Sequence, residues 1–123
     1  MTSAPLKSPP PLSSVRRAGD LLFASGQLPR DATGAIVAGD VLVQSRRSLA
    51  NLRAALATGG ASLEDVVKVT AWLTDPAHMD AFNQAYREAF SEPYPARTVV
   101  ISGLLAGEVE IEAVACIPGG TRP

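Results

Sequence analysis

The sequence is poor in the residues that most often announce chemistry. Its 123 residues hold one cysteine, Cys116, one histidine, His78, and one tryptophan, and aromatic residues make up 5%. A single cysteine excludes an intrachain disulfide. A fold held without disulfides suits a reducing compartment, so a cytoplasmic setting is expected. Metal sites need converging His, Cys or carboxylate ligands, and none here is spaced for one. His78 falls in the first turn of a helix beside Pro76, where a surface position is expected. Cys116 lies in an apolar strand and reads as an inert packed thiol. No glycine-rich phosphate loop precedes a helix, and no nucleophile motif accompanies His78. No apolar run is long enough to cross a bilayer, and the proline-bearing N-terminal stretch lacks the apolar segment of a secretory signal. Charge of one sign is also missing: 11 Lys and Arg face 12 Asp and Glu, a formal net charge of -1. Strong non-specific binding to nucleic acid needs a concentrated positive surface, and no basic cluster exceeds the Arg16-Arg17 and Arg46-Arg47 pairs. Neither nucleic acid nor membrane is an expected partner.

What is present is a globular composition, 46% hydrophobic and 19% charged, in a chain the size of one domain. Three segments are expected: a proline-rich N-terminal arm over residues 1–13, one domain over 14–118 and a C-terminal tail over 119–123. Within the domain, Ser14–Arg17 and Leu21–Ser25 read as strands around a Gly19-Asp20 turn. The first helix spans Val41 to Thr58, capped by Asp40, stopped by Gly59-Gly60 and carrying a Leu42, Leu49, Leu52, Leu56 stripe. A strand follows from Val66 to Leu73, with Val67, Val69, Ala71 and Leu73 on one face. Asp75-Pro76 opens a second helix whose stripe is Met79, Phe82, Tyr86 and Phe90. Strands at Arg97–Ser102 and Val109–Ile117 close the chain. Right-handed crossovers place both helices on one face of one sheet. Yet apolar residues occur on both strand faces, so the uncovered face calls for a partner, and self-association is the simplest answer.

The candidates for chemistry are charged and polar residues inside elements. Arg97 begins a strand, and Glu110 and Glu112 share one face of another. Glu112 is expected deep in the sheet, with Glu110 at its rim or in an interface pair. A buried carboxylate needs a partner or a task, because an unpaired buried charge costs several kcal/mol. Arg97 is the natural partner, either directly opposite in a hairpin or across one intervening strand. The pair reads either as a structural salt bridge, within one chain or at a subunit interface, or as working chemistry: arginine's planar fork clamps a carboxylate, and a sheltered glutamate orients or deprotonates water. Asn83, inside a helix between Phe82 and Tyr86, is a third candidate, or else a solvent-facing or interhelix hydrogen-bonding residue.

Several segments together resemble one family. They are Leu22-Phe23-Ala24-Ser25-Gly26-Gln27-Leu28-Pro29, Gln44 with Asn51-Leu52, Asp65-Val66-Val67-Lys68-Val69-Thr70, Phe82-Asn83-Gln84-Ala85-Tyr86, Pro95-Ala96-Arg97 and Val109-Glu110-Ile111-Glu112-Ala113-Val114-Ala115. In this order and spacing, from about Ser14 to Ile117, the chain resembles the reactive-intermediate deaminase (Rid, YjgF-type) family. The resemblance implies an α+β, chorismate-mutase-like fold, with a mixed sheet and two helices on one face. It implies a homotrimer with sites at subunit interfaces. It also implies cofactor-free hydrolysis of 2-enamine and 2-imine acids, such as 2-aminoacrylate, to 2-oxo acids and ammonia. Carried over, Arg97 binds the substrate carboxylate and Glu112 positions the attacking water. Gly26, Asn83 and the backbone at Val99 line the pocket. Two positions depart from the family pattern: Leu12 stands where archetypal members have a site tyrosine, and Val99 where a cysteine is common. The competing readings are a non-catalytic trimer that binds small carboxylates in a regulatory or protective role, and an RNA-acting protein.

Overall fold

The computed structural model describes residues 8–118. The expected tail over 119–123 and the first seven residues of the expected arm lie outside them. The elements are β1 Val15–Ala18, β2 Leu21–Gln27, α1 Val41–Thr58, β3 Val66–Leu73, α2 Met79–Ala89, β4 Ala96–Ile101 and β5 Val109–Cys116. Short 3-10 turns at Leu63–Asp65 and Pro76–His78 lead into β3 and α2.

Local chemistry explains most boundaries. Gly19, at φ +60, takes the first central position of the two-residue β1–β2 turn, as a type II′ turn requires. The Asp40 carboxylate accepts from the Val43 N–H and caps α1. The Asp75 carboxylate accepts from the Ala77 N–H, while Pro76 opens the 3-10 turn before α2. At the end of α1, Gly59 is chosen for space as much as for flexibility, since a Cβ there would lie 2.5 Å from the Leu22 side chain.

The five strands form one mixed sheet in the order β1-β2-β5-β3-β4. Only β3 and β4 pair in parallel; the other neighbours are antiparallel. Helix α1 carries the chain from β2 over to β3, and α2 carries it from β3 to β4. The last strand, β5, then inserts between β2 and β3. Both helices pack on one face, against Leu22, Val69, Ala71, Leu73, Ile111, Ala113 and Ala115. Leu49, Leu52 and Leu56 of α1 and Phe82 and Tyr86 of α2 complete that core. Each large side chain so buried contributes about 1.5–3 kcal/mol.

The face away from the helices is open. Leu21, Phe23, Val67 and Val100 on it are 38%, 44%, 47% and 37% exposed, with Trp72 and Val114 half-buried among them. Val67 does not share a face with Val69 and Leu73 as expected from strict alternation. The β3–β5 register shifts between Val66 and Lys68, and this bulge turns Val66 into the core and Val67 out. Among the described residues no helix is long and apolar enough to cross a membrane.

Candidate active site

Arg97 is held where β4, an edge strand, meets α2. It lies beside Val69 in the β3–β4 register, and Val69 is a helix-side core residue. Arg97 Nη1 donates to Asn83 Oδ1 at 2.8 Å, one helical turn before Arg87 on α2. The guanidinium carbon stands 4.8 Å from the Tyr86 ring centroid and 5.7 Å from that of Phe82. The aromatic faces and the asparagine thus fix the plane of the fork, with the cation–π contact contributing about 0.5–1 kcal/mol. No carboxylate forms an ion pair with Arg97 among the described residues. The Tyr86 hydroxyl is buried without a hydrogen-bond partner, and burial pushes its pKa up to about 12 against the lowering effect of Arg97. Beside this fork opens a cavity of about 260 Å³ lined by Asn83, Tyr86, Arg87, Tyr94, Pro95 and Arg97. Val99 turns its side chain toward the core. The Ser102 N–H donates to Leu73 O across the β3–β4 pair. Strand alternation therefore directs the N–H and C=O of Arg97, Val99 and Ile101 to the free edge of β4.

The carboxylates sit elsewhere. Thr70 pairs with both Glu112 and Thr98, and Trp72 with both Glu110 and Val100. These rows belong to the open face, opposite the face on which Arg97 leans toward α2. Within one chain, then, Arg97 and Glu112 do not converge, either as hairpin partners or across an intervening strand. Strand β3 separates them by one position, and the parallel register puts Arg97 in the Val69–Ala113 row and Glu112 in the next. Within one chain the structural salt bridge between them is absent for the same reason.

Nor is Glu112 the sheltered member of its pair. Glu112 is exposed and Glu110 half-buried. The cause is a second bulge. Between Ala24 and Gln27 the β2 strand carries one residue more than β5, and Gly26 there presents bare backbone to Glu110. A Cβ on Gly26 would fall 2.5 Å from Glu110 Oε2. Burial raises the Glu110 pKa above its ordinary 4.5, and the neighbouring Glu112 charge raises it further. Gly26 and Glu110 thus form one local unit, and Asn83 and Arg97 another. Leu12 is 63% exposed. Sequence reasoning passed over Tyr94 and Arg87 as cavity residues. Arg87 was within reach of it, since the i, i+4 spacing from Asn83 puts both on one face of α2.

Comparison with known proteins agrees with this architecture. Residues 2–117 match the family model described as endoribonuclease L-PSP. A RutC family protein of Pyrococcus horikoshii is 44% identical over 108 residues, 85% of this chain and 86% of that protein. The 3-aminoacrylate deaminase RutC of Acinetobacter baylyi is 37% identical over 112 residues, covering 88% and 89% of the two chains. The crystal structure of RidA from an Antarctic Psychrobacter superposes with a TM-score of 0.83 at 33% identity, covering 90% of this chain and 92% of that one. The two helices on one face of a mixed five-stranded sheet are the chorismate-mutase-like arrangement of these proteins. The chain belongs to the endoribonuclease L-PSP family, the YjgF/RutC/Rid proteins.

Proposed function

We propose that this protein is a hydrolytic deaminase of reactive 2-enamine and 2-imine acids, such as 2-aminoacrylate, which it converts to 2-oxo acids and ammonia. The observation that carries the reading is Arg97: a guanidinium oriented by Asn83 and Tyr86, free of any acidic partner among the described residues, at the mouth of a small cavity. That is equipment for a small carboxylate. The kinship with a 3-aminoacrylate deaminase supports the same class of substrate.

The chemistry asks little of the protein. An enamine acid first tautomerises to the imine. Water then adds to the C=N carbon while the imine nitrogen gains a proton, and the resulting carbinolamine collapses to the 2-oxo acid as ammonia leaves. A clamp on the carboxylate and one group to orient and deprotonate the water suffice, because positioning removes most of the entropic cost. For that second role we propose the Glu110–Glu112 pair. The sequence pointed to Glu112, but the geometry favours Glu110, whose half-buried carboxyl has the raised affinity for protons that an acid–base group needs. Gly26 is its close-approach partner, and the Val99 backbone on the β4 edge is a further wall.

Because Arg97 and the two glutamates face opposite sides of the sheet, the working site is composite. We propose a homotrimer in which the β4 edge of one protomer meets the open sheet face of the next, so that each site takes its anion clamp from one copy and its acid–base carboxylate from another. The exposed Leu21, Phe23, Val67 and Val100 are the apolar surface such contacts would cover. The test is 2-oxo acid release from a panel of amino acids supplied with an imine-generating oxidase or lyase. Rates above the uncatalysed hydrolysis are expected, and they vanish in Arg97→Ala. A protein that binds 2-oxo acids yet leaves the uncatalysed rate unchanged is instead a non-catalytic small-carboxylate binder.

A further inference from the structure

The same cavity holds a second cation that the carboxylate clamp does not use. Arg87 lines it together with Arg97, and among the described residues no acidic one does. Neither arginine has an ion pair among the described residues. Glu88, the acid next to Arg87 in sequence, is turned to the other side of α2. There it accepts two hydrogen bonds from Arg46, at 2.8 and 2.7 Å. The two guanidiniums are placed by different elements: Arg97 by the β4 edge, and Arg87 by α2 one turn beyond Asn83, which itself accepts from Arg97. Between them Tyr94 and Pro95 close the wall. The space, about 260 Å³, is that of a small organic acid rather than a large side chain or a nucleotide.

Within one protomer, a monocarboxylate engages the Arg97 fork and leaves Arg87, the second cation of the cavity lining, without a counter-charge. A ligand with an acidic group at each end satisfies both, with the reacting carbon held near the Arg97 end. We propose that Arg87 is a specificity-determining residue that selects imine and enamine diacids, those bearing a second carboxylate on a short side chain, over monoacids of similar size. This inference rests on the deaminase reading for its chemistry but not for its binding geometry. Arg87 also lies in the last turn of α2, where any cation favours the helix dipole. A purely structural role of that kind affects stability and not ligand preference.

The experiment measures calorimetric affinity of the assembled protein for two stable product analogues, 2-oxobutanoate and 2-oxopentanedioate, at two salt concentrations, beside turnover of the corresponding imines. The wild type is expected to bind the diacid about tenfold or more tightly than the monoacid, the size of one charge-assisted contact. Arg87→Gln is expected to bring the ratio near one, Arg87→Lys to keep part of it, and Arg97→Gln to weaken both ligands. A ratio near one in the wild type, or a preference that survives Arg87→Gln, overturns the inference. If that occurs while the monoacid imine is still turned over, the deaminase reading stands. If neither acid binds and neither imine is turned over, both fail. Inorganic phosphate serves as a third ligand: if it displaces the diacid at equal concentration, the site recognises small anions in general and the diacid assignment is wrong.

Discussion

At the scale of single residues, the division of labour between Arg97, Glu110 and Glu112 is open to direct test. Arg97→Lys keeps the charge but loses the planar fork that Asn83 orients, so kcat/KM for imine acids is expected to fall about tenfold or more, and Arg97→Ala further. Equal turnover by Arg97→Lys and wild type would remove the clamp. Glu110→Gln is expected to lower the rate by about a hundredfold, the usual cost of losing a general base. Glu112→Gln separates the two carboxylates. The Glu112 charge raises the Glu110 pKa, so its removal lowers that pKa and shifts the acid limb of the rate profile to lower pH while the maximal rate persists. If Glu112→Gln abolishes turnover and Glu110→Gln does not, Glu112 is the base after all. Stability supplies an independent check. A carboxyl whose pKa is raised on folding favours the folded chain only while protonated. That contribution is lost as pH rises from the unfolded value, near 4.5, through the raised one. Glu110→Gln is therefore expected to gain denaturation midpoint relative to wild type at about pH 7 but not at about pH 4, even as it loses activity.

At the scale of elements, the two bulges do work that regular strands would not. The β2 bulge sets Gly26 under Glu110, and the β3 bulge exchanges Val66 for Val67 on the core face. Gly26→Ala places a methyl group 2.5 Å from Glu110 Oε2. The carboxylate is the end of a flexible side chain, so it moves and the fold survives. The expected outcome is a clear loss of rate with a thermal midpoint close to wild type. Gly59→Ala is the contrast. Its new methyl group meets the buried Leu22 side chain at 2.5 Å, and overpacking of that kind costs about 1–3 kcal/mol. Activity of the molecules that remain folded should be unchanged. A Gly26→Ala protein with full activity would show that the Gly26–Glu110 contact has no part in turnover.

At the scale of the whole molecule, the open sheet face is the apolar surface that the proposed trimer would cover. A charge introduced on it, Phe23→Glu, puts an unpaired carboxylate into any interface that covers it, at a cost of several kcal/mol. Light scattering is expected to report a trimer for the wild type and smaller species for Phe23→Glu, with turnover lost alongside assembly because the proposed site draws residues from two copies. A wild type that scatters as a monomer at micromolar concentration, yet turns over imines, would contradict the composite site.

Element types, helix caps and most of the core were legible in the sequence because each follows from short-range rules. Asp40 caps α1, Asp75-Pro76 opens the turn into α2, and the stripes of Leu49, Leu52 and Leu56 and of Phe82 and Tyr86 have the helical period. The candidate residues stood out as types, through a resemblance spread over the chain, but their mutual placement was not legible. Which strand lies between Arg97 and Glu112 depends on β5 returning to insert between β2 and β3, a long-range choice that no local pattern encodes. Which glutamate is sheltered depends on one extra residue in β2, and a one-residue shift reverses the face of every side chain beyond it. Local propensity therefore determined the elements and the chemical inventory. Only the tertiary pairing of strands decided that Arg97 and the two glutamates stand on opposite faces of one sheet.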